Sequence, residues 1–570
     1  METAWGPLVG TDGTTFRLWA PGVEGLELIL GDEVRVMEPA LDGWWSCHVP
    51  GVGAGANYAF RLPGGLQVPD PAARSQVGDV HGPSRVEASA YRWRHESPCR
   101  PWHEAVICEL HVGTFTPEGT FRAAIEKLPL LAEAGYTAIE IMPVAQFGGD
   151  RGWGYDGVLL YAPHPAYGTP DDLRALVDAA HGAGLMVMLD VVYNHFGPDG
   201  NYLGAYAPGF FDPTRETPWG VAIAFDRAPV RRFFVGNALH WLEGYRFDGF
   251  RFDAIDHIRD ASDPEMLVEI AQAIRAVRPD AWLATEDNRN VTHLHEREAG
   301  RPMLVSGEWN DDVHNAAHVL ATGETEGYYE AFADRPDQML ARALAEGFAW
   351  QGEVQPDGHA RGAPSGHLPP DAFVDFLQNH DQIGNRARGE RLLSLTRPAI
   401  YRALQSMLML SPHVPLLFMG DEWGARDPFL FFAGFDGELG RAVTEGRRRE
   451  FAGFQGFSGT VPDPVDPATF AMSKLDWFGR GGPWLERFRA LARLRAERIV
   501  PLLPGTGPDC GTAHEAAPGG IAVDWRLHGG LLQMRANLGP EHVSLPTLRG
   551  ETIHAEGALG APSTCHVALV

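Results

Sequence analysis

The feature that most constrains this chain is a rhythm that begins near residue 104: short, nearly continuous apolar runs alternate with helical stretches. "AVICELHVGTF" (105–115), "YTAIEIMPV" (136–144) and "LMVMLDVV" (185–192) have no polar face to show to water. Strands of that kind belong to a parallel sheet covered on both sides. "FDGFRFD", "AWLATED", "MLVSGEWND", "AFVDFLQNHD" and "VPLLFMGDEW" continue the series to eight. Eight strands with intervening helices predict an α/β fold, a (β/α)8 barrel with insertions in its loops. The competing arrangement, an open doubly wound sheet, wants a Gly-rich phosphate loop after its first strand. None follows "AVICELHVGTF".

The helices carry readable ends. In "GTPDDLRALVDAAHGAG", Thr169 suits the N-cap, Pro170 the first turn and Gly184 the exit, while Leu173, Leu176, Val177 and Ala180 form one apolar stripe. A second helix is expected from Ser262 to Arg278, with Leu267, Ile270, Ala271, Ile274 and Val277 on its buried face.

Before the barrel, residues 1–95 contain short strands between Gly and Pro turns ("TTFRLWAP", "GLELIL", "WWSCHV", "NYAFRL"), the pattern of a β-sandwich. The barrel is assigned to 96–500, and 501–570 to a small C-terminal β-domain containing "IAVDWRLHG" and "GLLQMRANLG".

Composition narrows the ligand. Forty-seven Lys and Arg against 74 Asp and Glu give a formal charge of -27, which repels nucleic acid and anionic lipid. Five cysteines without CxxC spacing indicate neither a disulfide framework nor a zinc site. "METAWGPLVG" has no leader character and no apolar run is long enough to span a bilayer, so a cytoplasmic enzyme is expected.

In a barrel the reactive groups gather at the C-terminal strand ends. Here those ends carry Asp190, Asn194 and His195; Asp253; Glu286; and Asn379, His380 and Asp381. One such acid alone reads most simply as a helix cap. In "GFRFD", period two sets Arg251 and Asp253 on one face and Phe250 and Phe252 on the other, and Asp190 is the expected partner of Arg251. "GWGYDG" (152–157) reads either as a turn carrying core aromatics or as a platform for a sugar ring. Acetal hydrolysis needs two carboxylates flanking one bond. Asp253 and Glu286 fall on consecutive strands, about 4.8 Å apart, closer to the spacing of retaining than of inverting glycosidases.

"DVVYNH", "GFRFD", "ATEDN" and "FLQNHD", in this order, resemble the four short regions of the α-amylase superfamily, glycoside hydrolase family 13. The N-terminal "FRLWAP" is similar to the sandwich before the barrel in branching and debranching enzymes. The resemblance implies Asp253 as nucleophile, Glu286 as general acid and base, and Asp381 as the carboxylate that binds sugar hydroxyls and stabilises the transition state. It implies that Arg251 keeps the nucleophile ionised, that Glu286 is raised in pKa by its carboxylate neighbours, and that Tyr155, Asp190, His195 and His380 clasp the sugar ring. Asp256, His257 and Asn379 complete the expected contacts.

Within the superfamily, "PDPAARSQVGDVHGPS", "EWNDDVHNAAHVLATGETEGYY", "FLQNHDQIGNRARGERL" and "LFMGDEWGARDPFLFF" resemble the maltooligosyltrehalose trehalohydrolases. That resemblance implies maltooligosyltrehalose and related α-glucans as partners, with Trp309, Asn310, Asp311 and Tyr329 as candidates for the trehalose end. "LVSGEWNDD" departs from the pattern at Glu308, where a less acidic residue is expected. No cofactor, metal or obligate protein partner is implied, although "NDD" is also a conceivable calcium ligand set. A branching enzyme, a debranching enzyme and a non-catalytic glucan-binding protein remain the alternatives.

Overall fold

The structure, a computed structural model, describes residues 5–452 and 461–570. All eight expected runs form strands: β1 (Ile107–Leu110), β2 (Ala138–Ile141), β3 (Met186–Val191), β4 (Gly249–Phe252), β5 (Trp282–Thr285), β6 (Gly307–Trp309), β7 (Phe373–Phe376) and β8 (Val414–Phe418). They pair in parallel in chain order, and β8 closes on β1. The barrel predicted from the apolar rhythm is therefore the fold.

Side-chain alternation along these strands separates two environments. Ile107, Ala138, Met188, Ala284, Trp309, Val374 and Leu416 pack together in the barrel interior. Cys108, Ile139, Val187, Phe250 and Leu283 pack outward against the helical layer. The interior-facing parity also places Glu109, Glu140, Asp190, Arg251, Asp253 and Glu286 on the lumen side, above the apolar floor. Gly249 starts β4 because a Cβ there would meet the Trp282 carbonyl oxygen at 1.7 Å.

Helix α1 (Pro170–Gly182) begins as its sequence requires. Thr169 accepts from the Asp172 N–H while the Asp172 side chain accepts from the Thr169 N–H, and Leu173, Leu176, Val177 and Ala180 are buried. Helix α2 is shorter than expected, Met266–Val277 instead of a start at Ser262. The segment before it is spent on Asp260, which accepts from the Ser262 and Met266 N–H groups and fixes a loop. Val277 does not join the buried stripe; it is 49% exposed at the last turn.

Two antiparallel sheets precede the barrel, one containing Gly13–Trp19 and Trp44–Pro50, the other Glu27–Leu30 and Asn57–Arg61. A five-stranded antiparallel sheet, Gly511–Ala513 to Thr564–Leu569, follows it. We propose 1–95, 96–500 and 501–570 as the three domains that contain these sheets. Among the described residues no helix is long and apolar enough to cross a membrane.

Candidate active site

The site is built around a buried cation. Arg251 projects inward from β4, in register with Asp190 on β3. Its Nη1 donates to Asp190 Oδ2 at 2.6 Å and to Asp253 Oδ1 at 3.0 Å, and its Nη2 donates to Glu286 Oε2. The planar fork of a guanidinium suits such a task. Asp253 and Glu286 each follow the last paired residues of β4 and β5, Phe252 and Thr285. Adjacent strands at about 4.8 Å thus bring both carboxylates to one cation and to each other.

Asp253 is held from a second side. Asn194 donates through Nδ2 to the Asp253 carbonyl at 2.7 Å and to Oδ2 at 2.8 Å. Asn194 stood among the strand-end residues but outside the expected contact set; its side-chain amide bonds Asp253 twice, and its signal was position three after β3. Burial pushes Asp253 above the usual aspartate range, while Arg251 and Asn194 pull it down. Burial also pushes Glu286 well above the usual range; Asp253, Asp381 and Asp311 add to the rise and Arg251 opposes it. The carboxylate neighbours were the expected cause, but desolvation leads. The Ala254 N–H donates to Glu286 Oε2 at 3.0 Å, from a backbone held at φ +40.

The remaining expected residues divide into two groups. Tyr155 donates to Asp190 Oδ2 at 2.6 Å and stacks on His380, ring centroids 5.0 Å apart. Gly154 carries the turn that presents it, at φ +103, where a Cβ would meet the Pro143 carbonyl oxygen at 2.1 Å. Trp153 beside it is core, its indole N–H bonded to the Leu430 carbonyl, as the core-aromatic reading of "GWGYDG" expects. His195 stacks on Trp219 at 4.5 Å, and Trp219 meets His257 edge-on at 4.9 Å. Trp219 is half exposed on a hairpin insertion and was not legible as a site residue. Asp256 lies beside His257, and burial raises its pKa. Asp381, with a side chain 37% exposed, opens to the cleft at the start of the short helix His380–Gly384.

Four expected contacts are turned elsewhere. Trp309 is an interior residue of β6 beneath Arg251, not a cleft wall. Asn310 is buried and donates to the Gly347 carbonyl and to Asp375. Tyr329 is buried, with its hydroxyl 3.1 Å from His314 Nε2 and its ring stacked on His318. Its neighbour Tyr328, 57% exposed, is the tyrosine that reaches the cleft. Asn379 caps the helix that carries Asp381, accepting from the Asp381 N–H at 2.8 Å. The "NDD" segment does not converge on a cation site either: Asp312 is spent on the Ala349 and Trp350 N–H groups and on Asn290.

Glu308 is explained by parity. It points away from the lumen, accepting from Thr285 Oγ1 and the Asp287 N–H at 2.7 Å each, and so braces the segment after Glu286.

Beside Glu286 and Asp381 opens a pocket of about 500 Å³, lined among others by Asp311, Tyr328, Arg361, Gln382 and Asn385. Burial lifts Asp311 to about 7 there, with Arg361 opposing. Two carboxylates on one guanidinium, with an open polar pocket beside one of them, are an arrangement that suits acid-assisted displacement at an acetal carbon.

Residues 83–206 match the family model described as "Alpha amylase, catalytic domain", and 509–569 match "Domain of unknown function (DUF3459)". The chain is 44% identical over 508 residues to the malto-oligosyltrehalose trehalohydrolase of Deinococcus radiodurans, covering 87% of this chain and 83% of that protein. It is 34% identical over 287 residues to a 1,4-alpha-glucan branching enzyme of Streptomyces coelicolor, covering 45% of this chain and 39% of that one. The crystal structure of a Salmonella typhimurium protein described as a candidate alpha amylase superposes with a TM-score of 0.97 at 52% identity, covering 100% of both chains.

Proposed function

The chain belongs to the malto-oligosyltrehalose trehalohydrolases of the alpha-amylase superfamily, and on that premise we propose how its residues divide the reaction. It is a glycoside hydrolase that cleaves the α-1,4 bond next to the terminal trehalose unit of maltooligosyltrehalose, releasing trehalose and a maltooligosaccharide.

Asp253 attacks the anomeric carbon while Glu286 gives its proton to the departing glycosidic oxygen, and trehalose leaves. The maltooligosaccharide remains as an ester of Asp253. Glu286, now ionised, takes a proton from water as the water oxygen attacks that carbon, and Asp253 is released. Two displacements retain the configuration. Asp381 meets hydroxyls of the ring at the cleft. Arg251 serves both carboxylates, stabilising Asp253 as an anion before attack and Glu286 as an anion after proton transfer.

The observation that carries this division is the single guanidinium shared by Asp253 and Glu286 at matched strand positions, with the open pocket on the side of Glu286. The trehalose unit occupies that pocket, against Asp311, Tyr328 and Arg361. The acidic, cysteine-poor composition supports a cytoplasmic location.

Incubation with maltopentaose and, separately, with the same chain ending in trehalose tests the reading. Free trehalose from the second with maltopentaose little touched is the expected result. Equal attack on both, or longer branched products, overturns the substrate assignment and leaves a general amylase or a transferase.

A further inference from the structure

A second acid from the barrel interior reaches the site through a histidine. Glu109 on β1 is buried, and each of its oxygens takes a different N–H of His380. Oε1 accepts from the ring at Nδ1, 2.5 Å, and Oε2 accepts from the backbone N–H at 3.1 Å. A carboxylate accepting at Nδ1 places a proton on that nitrogen and removes the ring's freedom to flip. The ring is also clamped, stacked on Tyr155 and met edge-on by Trp153 at 5.5 Å. Its other nitrogen, Nε2, lies 3.5 Å from Asp381 Oδ1, at the cleft. Glu109, His380 and Asp381 thus run in line from the barrel interior to the cleft.

Other charged and titratable groups surround the pair, among them Tyr155, whose hydroxyl burial pushes well above the usual range. Glu140 on β2 is pushed well above the usual carboxylate range by burial, with no hydrogen-bond partner on either oxygen, which favours its neutral form. His111, after β1, is pushed down to about 3 by burial and is neutral. Asp190 and Arg251 pair with each other at 2.6 Å. Burial pulls His380 down, yet Asp381 and Glu109 outweigh it and bring it to about 9. A buried ion pair is a poor way to gain stability, since desolvation offsets its attraction. Its presence here calls for a role in the chemistry.

We propose that Glu109 is a positioning residue: it fixes the orientation and protonation of His380 so that Nε2–H is presented to Asp381 and the adjoining sugar. The proposal rests on the reading of Asp253, Glu286 and Asp381 as the hydrolytic centre.

Nitrogen-15 NMR of histidine-labelled wild-type protein reads the premise without any variant. Protons on both His380 nitrogens at pH 7 are expected, and a bare Nδ1 overturns the proposal. Kinetics of trehalose release then test the consequence in Glu109→Gln, His380→Asn and the double variant. Glu109→Gln is expected to lower kcat roughly 10- to 100-fold with little change in KM, the usual loss when an orienting partner is removed. It also moves the His380 titration to lower pH. In the His380→Asn background the same change is expected to cost nothing further, because both act through one group. Equal fold losses in the two backgrounds, or an unmoved His380 titration, overturn the proposal. If wild type releases no trehalose, the functional reading fails instead, and the NMR titration still decides what Glu109 does to His380.

Discussion

The guanidinium carbon of Arg251 lies 4.1 Å above the centre of the Trp309 ring. One face of the central cation is therefore supported by an aromatic interior residue while its edge serves three carboxylates. Such a contact is worth about 2 kcal/mol when desolvated.

Trp309→Ala removes that support and opens a cavity in the barrel, with an expected loss of about 3–5 kcal/mol. Trp309→Phe keeps a ring beneath Arg251 and forfeits no hydrogen bond, since the indole Nε1 has no partner. A much smaller loss of stability and largely retained kcat are expected for it. Thermal unfolding and steady-state kinetics of the pair check the contrast.

Glu286→Gln keeps the shape of the side chain and its place beside Arg251 but cannot give or take a proton. A fall in kcat of about 10²- to 10⁴-fold is expected, with substrate binding retained. Calorimetric binding of the trehalose-ended chain, alongside turnover, separates this from loss of the site. Unchanged turnover refutes the assignment of the acid.

The pH profile tests the proposed proton donor. In the proposed division Glu286 has to be protonated to act first, so activity is expected to fall as pH rises through its raised pKa. Asp311, at about 7, is ionised above neutrality and helps keep the proton on Glu286. Asp311→Asn removes that charge, so the alkaline limb of kcat/KM is expected at lower pH than in wild type. An unmoved limb, or a shift upward, contradicts the arrangement.

Adjacent tyrosines should behave in opposite ways. Tyr328→Ala changes an exposed wall of the pocket and is expected to raise KM for the trehalose-ended chain with the melting temperature nearly constant. Tyr329→Phe removes the hydroxyl that meets His314 and is expected to cost about 1 kcal/mol of stability with KM little changed. Measuring both quantities for both variants tells wall from core.

How much of this was legible depended on how local the information is. The eight strands could be read because each is a short apolar run, and a run covered on both faces needs no knowledge of its neighbours. Helix α1 could be read because its cap is a reciprocal pair three residues apart. Helix α2 could not be bounded, because Asp260 reaches forward to bond N–H groups that the periodicity assigned to a helix. Burial as the first cause of the raised Glu286 pKa depends on the closed barrel around it, which no local pattern states.

By itself the sequence determined the barrel, the order of its strands and the acids Asp253, Glu286 and Asp381 at their ends, since strand parity and strand ends are properties of a few consecutive residues. Only the tertiary structure decided which of Tyr328 and Tyr329 faces the cleft, that Trp309 packs in the barrel interior while Asn310 is buried against Gly347 and Asp375, and that Asn194, Trp219 and Glu109 come to the site. Neighbouring residues on a helix or loop point different ways, and the direction that meets the cleft is set by how distant elements pack against one another. Glu109 and His380 are 271 positions apart along the chain, and barrel closure brings them within one hydrogen bond.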